Sequence, residues 1–374
     1  MRAGLTLEAL AADHDVHLLV VPVVATPFAD QARAWASRWF VRAVVHRPAP
    51  GPGPRTGPGG GLPLLARHAD PAAVRGAALL FRDVAFARVH VVRLYLAPFA
   101  VPYLVPGGPP CHLDLDDHDC RTHRRLAALY AAAGRTAEAE AAGAEAERYA
   151  AMEAAWVPRF GRATLASEPD RRDAQASHGF TNLGVLPNGV RPPAAGPAPP
   201  AGGPFTFLFL GTLGYFPNED GILHFCRDVL PGLRARAPAP FRVMVAGATP
   251  GTLVRALAAC PEVEMAGPVP DVEPLYARSD AVVVPLRAGG GTRIKVLEAF
   301  ASGRPVVSTA LGVEGLDVID GRHLLVADGA DDLAAACARL MASAELRRDL
   351  AARARAFVLE HHGLGVVAAA LRRP

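Results

Sequence analysis

Lysine is nearly absent from this chain of 374 residues: 39 residues are Lys or Arg, and Lys295 is the only lysine. Asparagine is also scarce, with Asn182, Asn188 and Asn218 alone, while Arg, Ala, Gly and Pro are abundant. A coding bias accounts for most of this, and it makes the position of the surviving lysine informative. The five cysteines (Cys111, Cys120, Cys226, Cys260, Cys337) are scattered, and none stands in CxxC or another metal-ligand spacing. That excludes a disulfide framework, predicts no structural zinc, and fits a reducing compartment. The cysteines read as small buried hydrophobes. No apolar run reaches the roughly eighteen residues of a membrane span; the stretch Val16 to Val24 is short and contains Pro22. The start of the chain lacks the pattern of a secretory leader. A net charge of +3 gives no basic coat for nucleic acid.

What is there is length, enough for two domains, and 51% hydrophobic residues to build their cores. Two Pro/Gly-rich stretches interrupt the chain. Arg47 to Pro63 reads as a surface loop, and Arg191 to Pro204 as a semi-rigid linker. The expected domains are therefore 1–190 and 205–374, separated by the linker 191–204.

The C-terminal half alternates apolar strands with helices. Strands are expected at Phe205–Leu210, Phe241–Ala246, Val263–Ala266, Ala281–Leu286, Pro305–Thr309 and Leu324–Ala327. Helices fall between them, including Thr292–Ala301, with two more after the last strand. Continuous apolar strands of this kind belong to a parallel sheet covered on both faces. The N-terminal half is similar but less regular. It has expected helices at Leu5–Ala12, Ala29–Arg38 and Pro71–Phe81, and a long one from Arg121 to Val157 broken near Gly134. Strands are expected at Val16–Val21, Ala43–His46, Val89–Tyr95, Cys111–Leu115, Ala163–Ala166 and Gly184–Leu186. The fold class is α/β, with two Rossmann-like doubly wound domains facing a cleft and their working loops at the strand carboxyl ends.

One segment carries most of the chemistry: VPLRAGGGTRIKVLEAFASGRPVV, Val284 to Val307. A strand runs into Gly289, Gly290 and Gly291, and a helix starts near Thr292. Glycines allow close backbone approach, and a helix N-terminus suits phosphate. Arg293 and Lys295 stand on that first turn, where a cation opposes the helix dipole unless an anion sits between them. The bland alternative is two solvated basic residues beside a flexible turn. Glu298 lies on the same face as Lys295. It is expected either to pair with the lysine or to accept hydrogen bonds from ligand hydroxyls.

This segment resembles the donor motif of the large retaining glycosyltransferase family numbered four, in the GT-B superfold, in a sub-branch with a GGGTRIKVLEAF-like sequence. That family carries two glutamates eight residues apart. Glu298 matches the second, which the resemblance assigns to the nucleotide ribose; the first falls on Gly290. FLFLGTLGYFPNEDG (Phe207–Gly221) resembles the strand and loop that open the donor domain, with Gly211, Thr212 and Gly214 as close-approach candidates. No basic residue stands between Phe205 and His224, so the phosphate charge falls to Arg293 and Lys295. VLPNGV (Val185–Val190) resembles the domain junction. CHLDLDDHDC (Cys111–Cys120) resembles a strand end near the donor sugar and acceptor, with Asp116, Asp117 and His118 as candidates. The DxD spacing of Asp114 and Asp116 also permits a cation, but Asp114 reads as structural.

The resemblance implies sugar transfer from a nucleoside diphosphate sugar to an acceptor hydroxyl, with retention. The donor-binding residues would be Gly211, Thr212, Gly214, Gly290, Gly291, Thr292 and Glu298. The catalytic residues would be Lys295, Arg293, Asp117 and His118. The sugar nucleotide is a co-substrate; no cofactor and no metal are expected. The acceptor would be a glycan or lipid-linked precursor in cell-surface polysaccharide or glycolipid synthesis, in the cytoplasm with peripheral contact at the inner membrane face. Relatives start with a strand before the first helix, whereas this sequence begins almost at the expected helix Leu5–Ala12: either its start falls late or the strand is absent. Together with Gly290, this raises a rival: an inactive donor-binding or scaffold protein. A nicotinamide-binding Rossmann enzyme is disfavoured, because no GxGxxG follows a strand with an acidic residue about twenty residues on.

Overall fold

The computed structural model describes residues 2–21, 42–45, 62–191, 193 and 203–372. The expected helix Ala29–Arg38 and most of the two Pro/Gly-rich stretches lie outside the described residues. The chain divides into two compact units, Met1–Asn188 with Val367–Pro374, and Gly189–Val366. The expectation that everything after Phe205 belongs to the second domain is thus corrected for the last residues. The carbonyls of Ala370 and Leu371 accept from Arg162 and Arg88, and Arg372 pairs with Asp13. No helix among the described residues is long and apolar enough to cross a membrane.

In the first unit, α1 (Arg2–Ala11) leads to β1 (His17–Val20), which pairs in parallel with β2 (Arg42–Val45). Next comes α2 (Pro71–Leu80); Asp70 caps it by accepting from the backbone N–H groups of Ala72 and Ala73, with Pro71 at the first position. A separate parallel sheet follows in the order β3 (Val89–Val92), β4 (Cys111–Asp116), β5 (Arg162–Leu165) and β6 (Leu183–Val185). Between β4 and β5 stand α3 (Asp119–Ala132) and α4 (Thr136–Trp156). They are separated, as expected, at Gly134, whose φ of 72° is the left-handed conformation that ends helices. One helix was not expected: α5 (Glu168–His178), capped by Ser167 and stopped by Gly179. Its polar sequence, EPDRRDAQASH, shows no apolar stripe to announce it.

The single expected N-terminal sheet is therefore two sheets, with no hydrogen-bonded link between β2–β1 and β3–β6 among the described residues. Every residue of β4 is buried, which makes it the centre of this unit's core with Leu165, Tyr149 and Met152.

The second unit contains all six expected strands: β7 (Phe205–Leu210), β8 (Phe241–Ala246), β9 (Val263–Gly267), β10 (Ala281–Val284), β11 (Val306–Ser308) and β12 (Leu325–Val326). They form one parallel sheet in the order β12-β11-β10-β7-β8-β9. α6 (Phe216–His224) continues through a π turn into α7 (Leu230–Arg236), and α8 (Thr252–Ala256) and α9 (Glu273–Arg278) follow. After α10 (Ile294–Ala301) come the two expected helices α11 (Ala330–Ala342) and α12 (Ala344–His361), then a third that was not expected, α13 (Leu364–Arg372), whose residues from Val367 on belong to the first unit. Helices cover both faces. Phe207 and Phe209 point into one layer, and Leu208 with Met244 and Val282 into the other. Each fully buried phenylalanine contributes about 1.5–3 kcal/mol of transfer free energy.

Candidate donor site at the strand switch point

The strand order reverses between β7 and β10, so chain leaves these neighbours toward opposite faces and opens a crevice beyond their carboxyl ends. The two glycine-bearing loops singled out in the sequence are the ones that follow β7 and β10. Topology brings Gly211, Thr212 and Gly214 into the same unit and the same end of the sheet as Gly290, Gly291 and Thr292.

Close approach explains the glycines. A Cβ on Gly211 would lie 2.8 Å from the Asn218 side chain, and one on Gly214 would lie 2.5 Å from Thr249 Oγ1. Gly289 and Gly291 hold φ of 119° and 66°, a conformation costly to other residues. The helix starts two residues later than expected, at Ile294. Arg293 is the residue before its first turn, and Lys295 is the second helical residue. Arg293 bends back, its Nη1 donating to the carbonyl of Gly290. Thr292 is buried.

Lys295 does not extend into solvent. Its Nζ donates to Asn218 Oδ1 at 2.8 Å and stands 5.2 Å from the centre of the Phe209 ring. Asn218 in turn donates from Nδ2 to the Thr212 carbonyl at 3.0 Å. One amide thus ties the lysine of the β10 loop to the glycine loop of β7. Burial pushes the Lys295 ammonium down to about 7; Arg293 pushes the same way and Glu298 opposes. The reading of two solvated basic residues fails for Lys295. It also fails to form a direct salt bridge with Glu298. That carboxylate instead accepts from the Tyr276 hydroxyl at 3.0 Å. Burial raises the Glu298 carboxyl above its ordinary range, against the hydrogen bond from Tyr276.

Three residues that sequence reasoning did not single out complete the site. Asn218 and Tyr276 hold Lys295 and Glu298, and Asp220 takes Arg287 at 2.6 and 2.9 Å, pinning the β10 loop to α6. One signal was present for Asn218: it is among the chain's three asparagines.

In the first unit the acidic strand end is neutralised from both sides. Arg2 donates to both Asp114 oxygens, at 2.6 and 2.8 Å, to Asn188 Oδ1 at 3.0 Å and to the Leu186 carbonyl at 2.8 Å. Thr164 also donates to Asp114, which is fully buried and structural, as expected. Arg93 pairs with Asp116 at 2.7 Å and Asp117 at 3.0 Å. Asp116 has a φ of 66° and marks a register shift against β5, so the strand end is bent. Both carboxylates of the DxD pair are occupied by arginines. Asp117 keeps a partly open side chain. The expectation of His118 on an open loop is corrected: its side chain is 1% exposed and faces Glu153 and Asp173.

Residues 204–343 match the family model described as Glycosyl transferases group 1. No curated protein matches the chain. Among solved structures, one of Anabaena Alr3699/HepE in complex with UDP and glucose is similar at 13% identity, with a TM-score of 0.70 over 99% of this chain and 94% of that one. Sucrose-phosphate synthase from Thermosynechococcus elongatus is similar at 18% identity and a TM-score of 0.66, covering 97% and 95%. WaaG, a glycosyltransferase involved in lipopolysaccharide biosynthesis, is similar at 15% identity and 0.63, covering 99% and 95%. At such identities the likeness is one of fold. The chain has the GT-B architecture of two Rossmann-like parallel-sheet units, and the match to the glycosyl transferases group 1 model falls within the second of them.

Proposed function

We propose that this protein transfers a sugar, with retention of configuration, from a nucleoside diphosphate sugar to an acceptor hydroxyl. The observation that carries the reading is the meeting of Lys295, Asn218 and two glycine loops at the β7/β10 switch point. The similarity of fold to a protein solved with UDP and with UDP and glucose agrees with it.

In this reading the diphosphate lies against the Gly211–Gly214 loop and the start of α10, accepting from backbone N–H groups. Arg293 and Lys295 supply the full charge. As the sugar–phosphate bond lengthens, charge grows on the leaving diphosphate, and preorganised donors in a desolvated site stabilise it more than the ground state. A half-buried ammonium near 7 gains its proton firmly when the dianion arrives. Glu298, already oriented by Tyr276, accepts from the ribose hydroxyls. Gly290 leaves the sugar without the first glutamate of the motif. The departing phosphate itself takes the acceptor proton. His118 has no part in the reaction, since its ring is enclosed. Transfer at this site uses no metal. The acceptor is a glycan or lipid-linked precursor of surface polysaccharide or glycolipid, met at the cytoplasmic membrane face.

The test is transfer and hydrolysis with a panel of nucleoside diphosphate sugars and hydroxyl acceptors. Turnover that depends on Lys295 supports the proposal. Donor binding without turnover for any acceptor would favour the inactive donor-binding reading, motivated by Gly290. Nicotinamide cofactor binding with no affinity for UDP would overturn both.

A further inference from the structure

His118, Cys120, Glu153 and His178 meet inside the first unit, although they come from separate elements. His118 precedes α3, Cys120 is its second residue, Glu153 lies near the end of α4, and His178 closes α5. The first three side chains are almost wholly buried. Glu153 Oε2 is 3.2 Å from His118 Nε2 and 3.0 Å from His178 Nε2. Cys120 Sγ is 3.1 Å from His118 Nε2. The four ligand atoms lie within 4.8 Å of one another.

We propose that these four side chains form a tetrahedral zinc site. Zinc bonds of about 2.0–2.3 Å to nitrogen, oxygen and sulfur place the ligand atoms of a tetrahedron about 3.3–3.6 Å apart. Three of the observed separations are just below that range. Seating the ion requires those three to open by a few tenths of an ångström and the wider ones to contract. Two imidazoles, a thiol and a carboxylate form a mixed nitrogen, sulfur and oxygen set, which selects zinc over calcium or magnesium. His118 Nδ1 stands 2.8 Å from Asp173 Oδ2 without the angles of a hydrogen bond; a turn of the ring on seating the ion would make this carboxylate its outer-shell partner, with Nε2 inward. Binding expels the Cys120 thiol proton to solvent and engages both histidines through a neutral Nε2. The thiolate and the Glu153 carboxylate then balance the two charges of the ion.

The site ties the start of α3, the end of α4 and the end of α5 into one knot, directly behind the Asp116–Asp117 strand end. Its role is structural, and it is separate from the proposed transfer chemistry in the second unit. Cysteine spacing gives the expectation of no structural zinc, and this proposal departs from it: three of the four ligands are not cysteines, and three helices rather than a CxxC turn bring them together.

The experiment uses the full chain stripped with a chelator and titrated with Co²⁺ alone, read by absorption. The expected result is about one equivalent bound, with tetrahedral visible bands and a thiolate-to-cobalt charge-transfer band, all displaced by Zn²⁺. Cys120→Ser removes the charge-transfer band. Asp173→Asn, at a partly exposed position compatible with folding, weakens metal affinity about 10–100-fold. A Zn²⁺-dependent rise in Tm of the stripped protein accompanies binding. Octahedral spectra, a charge-transfer band that survives Cys120→Ser, or no stoichiometric binding overturns the proposal and leaves a Glu153 carboxylate hydrogen-bonded by two histidines.

Discussion

The chain's single lysine donates a 2.8 Å hydrogen bond to one of its three asparagines: Lys295 Nζ meets Asn218 Oδ1 across 77 residues of sequence. This contact joins the loops that follow β7 and β10, the two strands between which the sheet reverses. It places a half-buried ammonium where a diphosphate would lie.

Replacing Lys295 with Ala should lower kcat by about 10²–10³-fold, the usual cost of removing one preorganised charge-stabilising donor. The protein should remain folded by circular dichroism. Lys295→Arg should fall well short of wild type, because a planar fork does not fit where a compact ammonium contacts both Asn218 and the Phe209 ring. Steady-state kinetics on both variants checks this. An arginine variant with full activity would mean that the lone lysine is a matter of coding bias.

Activity should also carry the lysine's titration. The Lys295 ammonium is held down to about 7 by burial and Arg293, while Glu298 opposes the shift. A protonated lysine is needed to meet the donor, so kcat/KM for the donor should decline as pH rises through about 7. Glu298→Gln removes the opposing charge and should move that limb to lower pH. The same substitution should raise the donor KM, through lost ribose contacts. A profile flat through neutral pH in both proteins would contradict the assignment.

Asn218→Ala should raise the donor KM and lower stability by about 1–3 kcal/mol, since it removes the charged hydrogen bond from Lys295 and one of the two donors to the Thr212 carbonyl, which keeps the Tyr215 N–H. Urea denaturation gives the stability change, and donor titration gives the affinity. Unchanged donor affinity would show that the β7 loop does not contact the ligand.

In the first unit, Asp114→Asn should destabilise by about 3–5 kcal/mol, because it removes the closer, bidentate counter-charge of the buried Arg2 and leaves only Asp116 at 3.4 Å. Arg2 holds the Asp114 carboxyl below its ordinary range, against the penalty of burial. The linked stability is present above the unfolded aspartate value and is lost as pH falls through the lower folded one. Wild-type denaturation midpoints should therefore fall with acid more steeply than those of Asp114→Asn.

The second unit was legible because its strands are continuous apolar runs and most of its proposed donor-site residues stand in one contiguous motif, Gly289 to Glu298. The first unit was less so. α5 is polar throughout and shows no periodicity, and the Arg2–Asp114 pair joins residues 112 apart for which no local pattern exists. The DxD spacing permitted a cation at Asp114, where Arg2 instead takes both oxygens, and the strand-end motif offered His118 as a site residue, where the ring is enclosed. Burial of that ring comes from α4 and α5 packing over it, which a strand-end motif does not encode. The orientation of Lys295 was likewise invisible, since a first-turn position reads as exposed until α6 places Asn218 against it.

A single lysine makes the central claim directly measurable. Selective ¹³Cε labelling of lysine gives one side-chain NMR signal, from Lys295. The account predicts that this signal titrates near pH 7 in the free protein, and that saturating UDP moves the titration to higher pH as the diphosphate stabilises the ammonium. A lysine that titrates near its ordinary value of about 10.4, unmoved by UDP, would contradict a diphosphate site at the β7/β10 switch point.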